Sequence, residues 1–290
     1  MSTDRLSPSS PPQDTVTPEW IDSHLPGVFA RGHQWLVVGQ QATIDAVIEA
    51  AAVEPGDHAL DIGGGSGIPT LELARRVGPS GRIIAVEPSP VLIDAMTRNV
   101  EAAGLENVDI VQGSAADLPF PEASFDAATC HFAAMFFPDL RGDLASIRRV
   151  LRPGARAAFA GWGPLEDNTH LQPFFGILAR HLGPRPQPAN PREAPWPMRF
   201  AEAGTLAAAL EAAGYEDVRE EQPTVRITWP GPPETLKTFW MEMANPGPEV
   251  SPDTRAEIER DILAHLHSVA DDAGLHFTAR VTVGSGRAPA

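Results

Sequence analysis

The sequence is poor in the residues that would staple the chain, anchor it in a membrane or draw it to nucleic acid. One cysteine, Cys130, occurs in 290 residues. No disulfide can close within such a chain, and a cysteine-built zinc site is excluded. Basic residues number 22 against 38 acidic ones, a formal charge of −16. A surface of that sign repels phosphates and argues against a general nucleic-acid partner. No apolar run approaches the roughly 20 residues that span a bilayer. The opening MSTDRLSPSS holds no signal-peptide core, so a soluble, cytoplasmic protein without membrane or metal partners is expected. What the chain does have is apolar residues, 42% of the total, enough for a sizeable core.

Residues 1–18 are rich in serine and proline and read as a flexible arm. Apolar residues return at Trp20, but Pro26-Gly27 is expected to break any helix that starts there, so 19–40 reads as an N-terminal cap segment. Residues 41–290 read as one domain. A helix is expected near 40–52, with Ile44, Val47 and Ile48 on one face. Short apolar runs at 58–62, 82–87, 108–112, 125–130 and 155–162 then read as buried strands. The helices between them carry their own punctuation. Ser89-Pro90 suits a helix start, and Asp139 can cap a helix that closes at Pro153-Gly154. This alternation implies right-handed crossovers and a doubly wound, mostly parallel α/β sheet. The proline-rich stretch 163–203 is expected to be a long irregular insertion. After it come a helix over 205–213, a strand or hairpin over 218–229, helices over 234–243 and 252–270, and a closing strand over 276–283.

The most informative run is Asp61-Ile62-Gly63-Gly64-Gly65-Ser66-Gly67, a glycine-rich turn between the first strand and a helix. Dinucleotide enzymes want G-x-G-x-x-G or A at this position. Counting from Gly63 meets Ile68, and counting from Gly64 meets Ser66, so neither frame fits. The spacing that fits is Asp61-x-Gly63-x-Gly65-x-Gly67. An acid two residues before the first glycine suits a ligand bearing positive charge, and S-adenosylmethionine (SAM), with a sulfonium and an ammonium, is one. Glu87, at the end of the second strand, is placed to accept hydrogen bonds from ribose hydroxyls.

The runs ALDIGGGSG, IIAVEPSP, VQGSAADLPFPEASFDAATC, FFPDL and RRVLRPGARAAFAGW resemble class I SAM-dependent methyltransferases. The small-molecule branch, similar to ubiquinone/menaquinone-biosynthesis methyltransferases, is the nearest in pattern. The likeness covers 40–162 firmly and the segments after 204 more loosely. It implies a seven-stranded Rossmann-like sheet, with the N-terminal segment and insertions near 163–203 and 231–273 capping the carboxyl ends of the strands. It also implies that Asp61, Gly63, Gly65 and Gly67 lie under the methionine moiety and that Glu87 holds the ribose. Pro88 then packs on the adenine, Ser114 and Ala115 read its edge, and His131 and Phe132 touch the methionine end. The family usually has Asp where this chain has Ser114, and related O-methyltransferases often place His just before the Pro-Asp pair, where Met135, Phe136 and Phe137 stand.

Methyl transfer from a sulfonium is an in-line displacement, in which holding donor and acceptor in line supplies much of the rate. A base is needed only if the acceptor must lose a proton. His131, His170 (together with Asp167) and His33 are the candidates for that role. Trp35, Met135, Phe136, Phe137, Trp162, Phe174 and Phe175 are candidate walls of an acceptor pocket, and Cys130 reads as inert packing. Methylation of an O, C or N atom of a small, partly apolar metabolite is the expected activity. A SAM-binding cyclase or other non-methylating enzyme on the same fold, or a catalytically silent SAM-binding scaffold, are the alternatives.

Overall fold

A computed structural model describes residues 18–184, 188–190, 192 and 196–290. Apart from Pro18, the arm expected over 1–18 lies outside the described residues. The chain enters through α1 (Pro18–Ile21) and α2 (Leu25–Gly39), which leads directly into α3 (Gln41–Ala50). The expected break at Pro26-Gly27 does not occur, because Pro26 sits in the first turn of α2, where no intrahelical N–H is required.

Strands and helices then alternate. β1 (His58–Ile62), α4 (Thr70–Val77), β2 (Arg82–Glu87), α5 (Pro90–Ala102), β3 (Val108–Gln112) and β4 (Phe125–His131) come first. They are followed by α6 (Leu140–Val150) and β5 (Leu151–Trp162). Asp139 caps α6 as expected, its side chain accepting from Gly142 N–H at 3.1 Å. The helix stops at Val150 rather than at Pro153, because Leu151 already pairs with Phe125 at the start of β5. Ser89 precedes α5 in extended geometry, but its hydroxyl makes no cap bond.

The second half differs more from expectation. Within the stretch expected to be irregular lies a regular helix, α7 (Leu171–Leu182), which buries Leu171, Phe174 and Ile177 on one face. Pro173 falls in its first turn, where proline is tolerated. Beyond it are α8 (Thr205–Ala212), β6 (Glu216–Glu221), β7 (Thr224–Trp229), α9 (Pro233–Ala244) and α10 (Pro252–Val269). The two-residue β8 (Ala270–Asp271) and the long β9 (Gly274–Arg287) complete the order. β6 and β7 do not form a hairpin with each other. Both pair antiparallel with β9, β6 along its C-terminal part and β7 along its N-terminal part.

The main sheet runs β3-β2-β1-β4-β5-β9-β6, with β7 and β8 added on β9. The neighbouring pairs from β3 to β5 are all parallel, and β9 is inserted antiparallel beside β5. Strand residues alternate between two covered faces. Ala59, Ile83, Ala127 and Ala158 pack with α3 and α4, while Leu60, Ile84, Ala128, Cys130 and Phe159 pack with α6 and α8. The strand order reverses between β1 and β4, the place where open α/β sheets bind ligands outside the carboxyl ends of their strands.

Candidate functional site

At that reversal the glycine loop leaves β1, and its shape is set by three positive φ angles, +69° at Gly63, +56° at Gly65 and +107° at Gly67. A Cβ on Gly63 would collide with the Ala133 side chain, so that glycine serves the approach of the loop to the turn after β4. A Cβ on Gly65 would meet only the Gly63 carbonyl, at 3.9 Å. The backbone at Gly65 therefore borders open space, which is what a ligand lying along the loop requires. Loop position is fixed from outside as well: Asn99 donates to the Ser66 carbonyl at 2.8 Å, and His33 Nδ1 meets Ser66 Oγ at 2.9 Å.

Asp61 does not face that space. It is fully buried, and its two carboxylate oxygens accept from Thr70 Oγ1 at 2.6 Å and Thr129 Oγ1 at 2.9 Å. Burial pushes its carboxyl up to about 6, against the pull of both hydroxyls. Through these bonds Asp61 ties β1, β4 and α4 together beneath the loop. Thr70 and Thr129 escaped the sequence reading. Thr129 faces Asp61 only through the β1–β4 register, which no local pattern reveals.

Glu87 ends β2 beside the loop. Its Oε2 accepts from Gly65 N–H and its Oε1 from Ser89 N–H, each at 3.0 Å. Burial pushes it up to about 7, although both N–H groups favour the charged form. A carboxylate has about four acceptor positions, so two remain for hydroxyl groups. The Ser89 hydroxyl next to it is buried and has no partner among the described residues. Pro88 and Ser114 are half-buried nearby in sequence to the strand ends, and Ala115 is buried. Open backbone at Gly65, a carboxylate with spare acceptor positions and an orphaned hydroxyl fit a nucleoside-bearing ligand.

Across the reversal, His131 ends β4 and packs edge-on against Phe132, with ring centres 4.5 Å apart. Burial drives its imidazole down to about 3, and its Nε2 lies 2.7 Å from Thr43 Oγ1. Phe132 is held at φ +55°, an uncommon conformation for a bulky residue, and stacks on Trp162 with ring centres at 4.2 Å. An aromatic row continues from there: Trp162 to His170 at 5.2 Å and His170 to Phe277 at 5.9 Å. His170 is also held down to about 3 by burial, and its Nδ1 has no partner among the described residues. Asp167 does not join it, because that carboxylate pairs with Arg280 at 2.8 Å.

The remaining candidates separate. Met135 and Phe137 are core residues packed under α6. Phe136 is half-buried and stacks against Trp20 at 6.5 Å. Trp35 stacks on Trp229 at 5.5 Å, on the side of α2 that meets β7. Phe174 lies in the interior between Phe175 and Trp240. Cys130 is buried in the core, and burial raises its thiol. A cavity of about 230 Å³ lies between α2 and α4, with His33, Gly67 and Arg75 in its wall.

A methyltransferase-domain profile matches residues 60–159, the span from β1 to the end of β5. Nocamycin O-methyltransferase of Saccharothrix syringae is 32% identical over 222 residues, covering 73% of this chain and 79% of that protein. The 2-phytyl-1,4-naphtoquinone methyltransferase of Trichormus variabilis is 35% identical over 140 residues, 48% of this chain and 61% of that one. Among solved structures, YcgJ of Bacillus subtilis shares the fold, with a TM-score of 0.56 at 20% identity over 86% of this chain and 99% of that one. The chain belongs to the class I SAM-dependent methyltransferases, and its mostly parallel Rossmann-like sheet is that of the family. Among the described residues no helix is long and apolar enough to cross a membrane.

Proposed function

We propose that this enzyme methylates a hydroxyl oxygen of a small, partly apolar metabolite, and that the hydroxyl is acidic enough to react without a dedicated protein base. The carrying observation is the open backbone at Gly65 beside the Glu87 carboxylate. In this reading Gly63, Gly65 and Gly67 lie along the methionine moiety of SAM, and Glu87 accepts from the ribose hydroxyls. Pro88, Ser114 and Ala115 border the adenine, while His131 and Phe132 border the methionine end. SAM supplies a methyl group already bonded to a good leaving group.

The protein's part is to orient and to exclude water. Phe132 and Trp162 offer an aromatic wall next to the donor, and α2 with α7, α9 and α10 form the cap around it. A base is the less favoured reading because His131 and His170 are both driven far below neutral pH by burial, and burial lowers His33 as well. Oxygen is favoured over carbon because one relative matched along most of its length is named an O-methyltransferase.

Titration calorimetry with SAM, S-adenosylhomocysteine and NAD is the first test, with heat expected from the two adenosyl compounds alone. Release of S-adenosylhomocysteine in the presence of a panel of phenols and enols is the second. Heat from NAD only, or turnover confined to amines, would overturn the proposal.

A further inference from the structure

The histidine at the end of β4 is held by a residue from a distant part of the chain. Thr43 lies in the first turn of α3, is completely buried, and brings its hydroxyl oxygen within 2.7 Å of His131 Nε2. The same hydroxyl lies 2.8 Å from the carbonyl of Gln40, the residue between α2 and α3. One hydroxyl carries one proton. If it pointed at the imidazole, two oxygens 2.8 Å apart would face each other in the interior with no proton between them, an unfavourable contact. The arrangement that avoids this contact has Thr43 donating to Gln40, whose carbonyl also accepts from the Thr43 and Ile44 N–H groups, and accepting from a protonated Nε2.

We propose that Thr43 is a positioning residue that fixes His131 in the Nε2–H tautomer, leaving the Nδ1 lone pair as a hydrogen-bond acceptor for the donor ligand. Nδ1 makes no hydrogen bond with any described residue. The ring stays uncharged because burial keeps its protonated form out of reach at ordinary pH, so the tautomer is well defined and does not repel a cation. An acceptor lone pair without positive charge is complementary to an ammonium N–H, a group carried by SAM. Asp61 offers less, since it is fully buried and each of its oxygens already accepts from a threonine hydroxyl. The donor-facing part of this proposal rests on the SAM reading above; the tautomer does not.

Two measurements on the full chain separate these parts. In long-range proton–nitrogen NMR spectra of the ligand-free protein, His131 is expected to show a protonated Nε2 and an unprotonated Nδ1. A protonated Nδ1 would overturn the assignment without reference to any ligand. In calorimetry with S-adenosylhomocysteine, Thr43→Val is expected to weaken binding about tenfold, the scale of one buried hydrogen bond left unmade. Thr43→Ser, which keeps the hydroxyl, is expected to stay within about twofold. The wild-type spectrum needs no variant to fold, and melting of each variant shows whether lost affinity is local. Equal binding by wild type, Thr43→Ser and Thr43→Val would overturn the positioning role. No binding by wild type would instead overturn the SAM reading, and with it the role assigned to Nδ1.

Discussion

The two sides of the sheet are held together by different means. From β3 to β4 the strands are short and parallel, mostly buried in β1, β2 and β4 and half-buried in the edge strand β3, and the groups at their carboxyl ends are fixed by hydrogen bonds: Asp61 to two threonines, Glu87 to two backbone N–H groups, the loop to Asn99. On the β9 side the strands are antiparallel and the layer above them is aromatic. Trp35, Trp229 and Phe239 are in contact at 5.5 Å from ring to ring, and Phe174 packs on Trp240 at 4.9 Å. Directional bonds suit a ligand that never changes, since each fixes one atom in one place. Aromatic packing tolerates changes of shape as long as volume is kept. In the function proposed above, the parallel side takes the methyl donor and the aromatic side the acceptor. Phe132 on Trp162 is the seam between them.

The sharpest way to break this division is Gly65→Val. A side chain there enters the open space along the loop, and φ of +56° adds about 1–2 kcal/mol of backbone strain. Loss of affinity for S-adenosylhomocysteine by at least about a hundredfold is expected by calorimetry. Unchanged affinity would place the donor elsewhere.

Glu87 offers a test through pH. Its folded-state value of about 7 lies above the ordinary 4.5, so the folded protein holds a proton that the unfolded chain has released. That stabilisation is fully present below pH 4.5 and is lost as pH rises through 7. Denaturant melts of the ligand-free protein at pH 5 and pH 8, compared with Glu87→Gln, should show the variant gaining about 2–3 kcal/mol relative to wild type over that interval. The comparison cancels the opposite contribution of His131 and His170, whose lowered values make stability rise with pH up to about 6.5. A difference independent of pH would mean that Glu87 is ionised in the fold.

At the histidines, one in the aromatic row and one against the loop, the expected effects are smaller. His170→Phe keeps a ring in the row and removes the orphaned Nδ1, and His33→Ala removes the contact to Ser66. Each is expected to lower turnover by no more than about tenfold at saturating SAM, with an unchanged pH profile, below the range typical of a general base. A thousandfold fall in either, with donor affinity intact, would reveal a base. Smallest of all, Gly176→Ala in exposed helical surface of α7, where a Cβ meets nothing within 4 Å, should stabilise by roughly 0.5–1 kcal/mol. Donor affinity should not move.

Sequence reading succeeded where the cause is local. The strands at 58–62, 82–87 and 108–112 are apolar runs bounded by turn residues, and they match β1, β2 and β3. The glycine loop follows β1 and Glu87 ends β2, the places their spacing gave them. It failed where one residue type serves two purposes. Proline ends helices and also begins them, so Pro26 concealed α2 and the proline-rich surroundings of α7 concealed that helix. It also could not reach partners joined by register alone. Thr43 and His131 are 88 positions apart, and Asp61 and Thr129 are 68 apart. Nothing in either neighbourhood names the other.

β9 has a bearing on how the molecule reaches this state. It is one strand of 14 residues shared by two sets of partners, and its junction with β5 includes Arg156 donating to Ser285 across 129 positions of chain. Pairing β1 with β2 closes a far shorter loop. The entropy of closure grows with loop length, and contacts distant in sequence form late. The parallel side can therefore assemble from neighbouring segments while the antiparallel side waits for β9 to dock, and when it does, β5, β6, β7 and β8 all gain their edge from the same event. Refolding should run in two stages, and where the acceptor binds as proposed above, the ability to recognise it is acquired in the second.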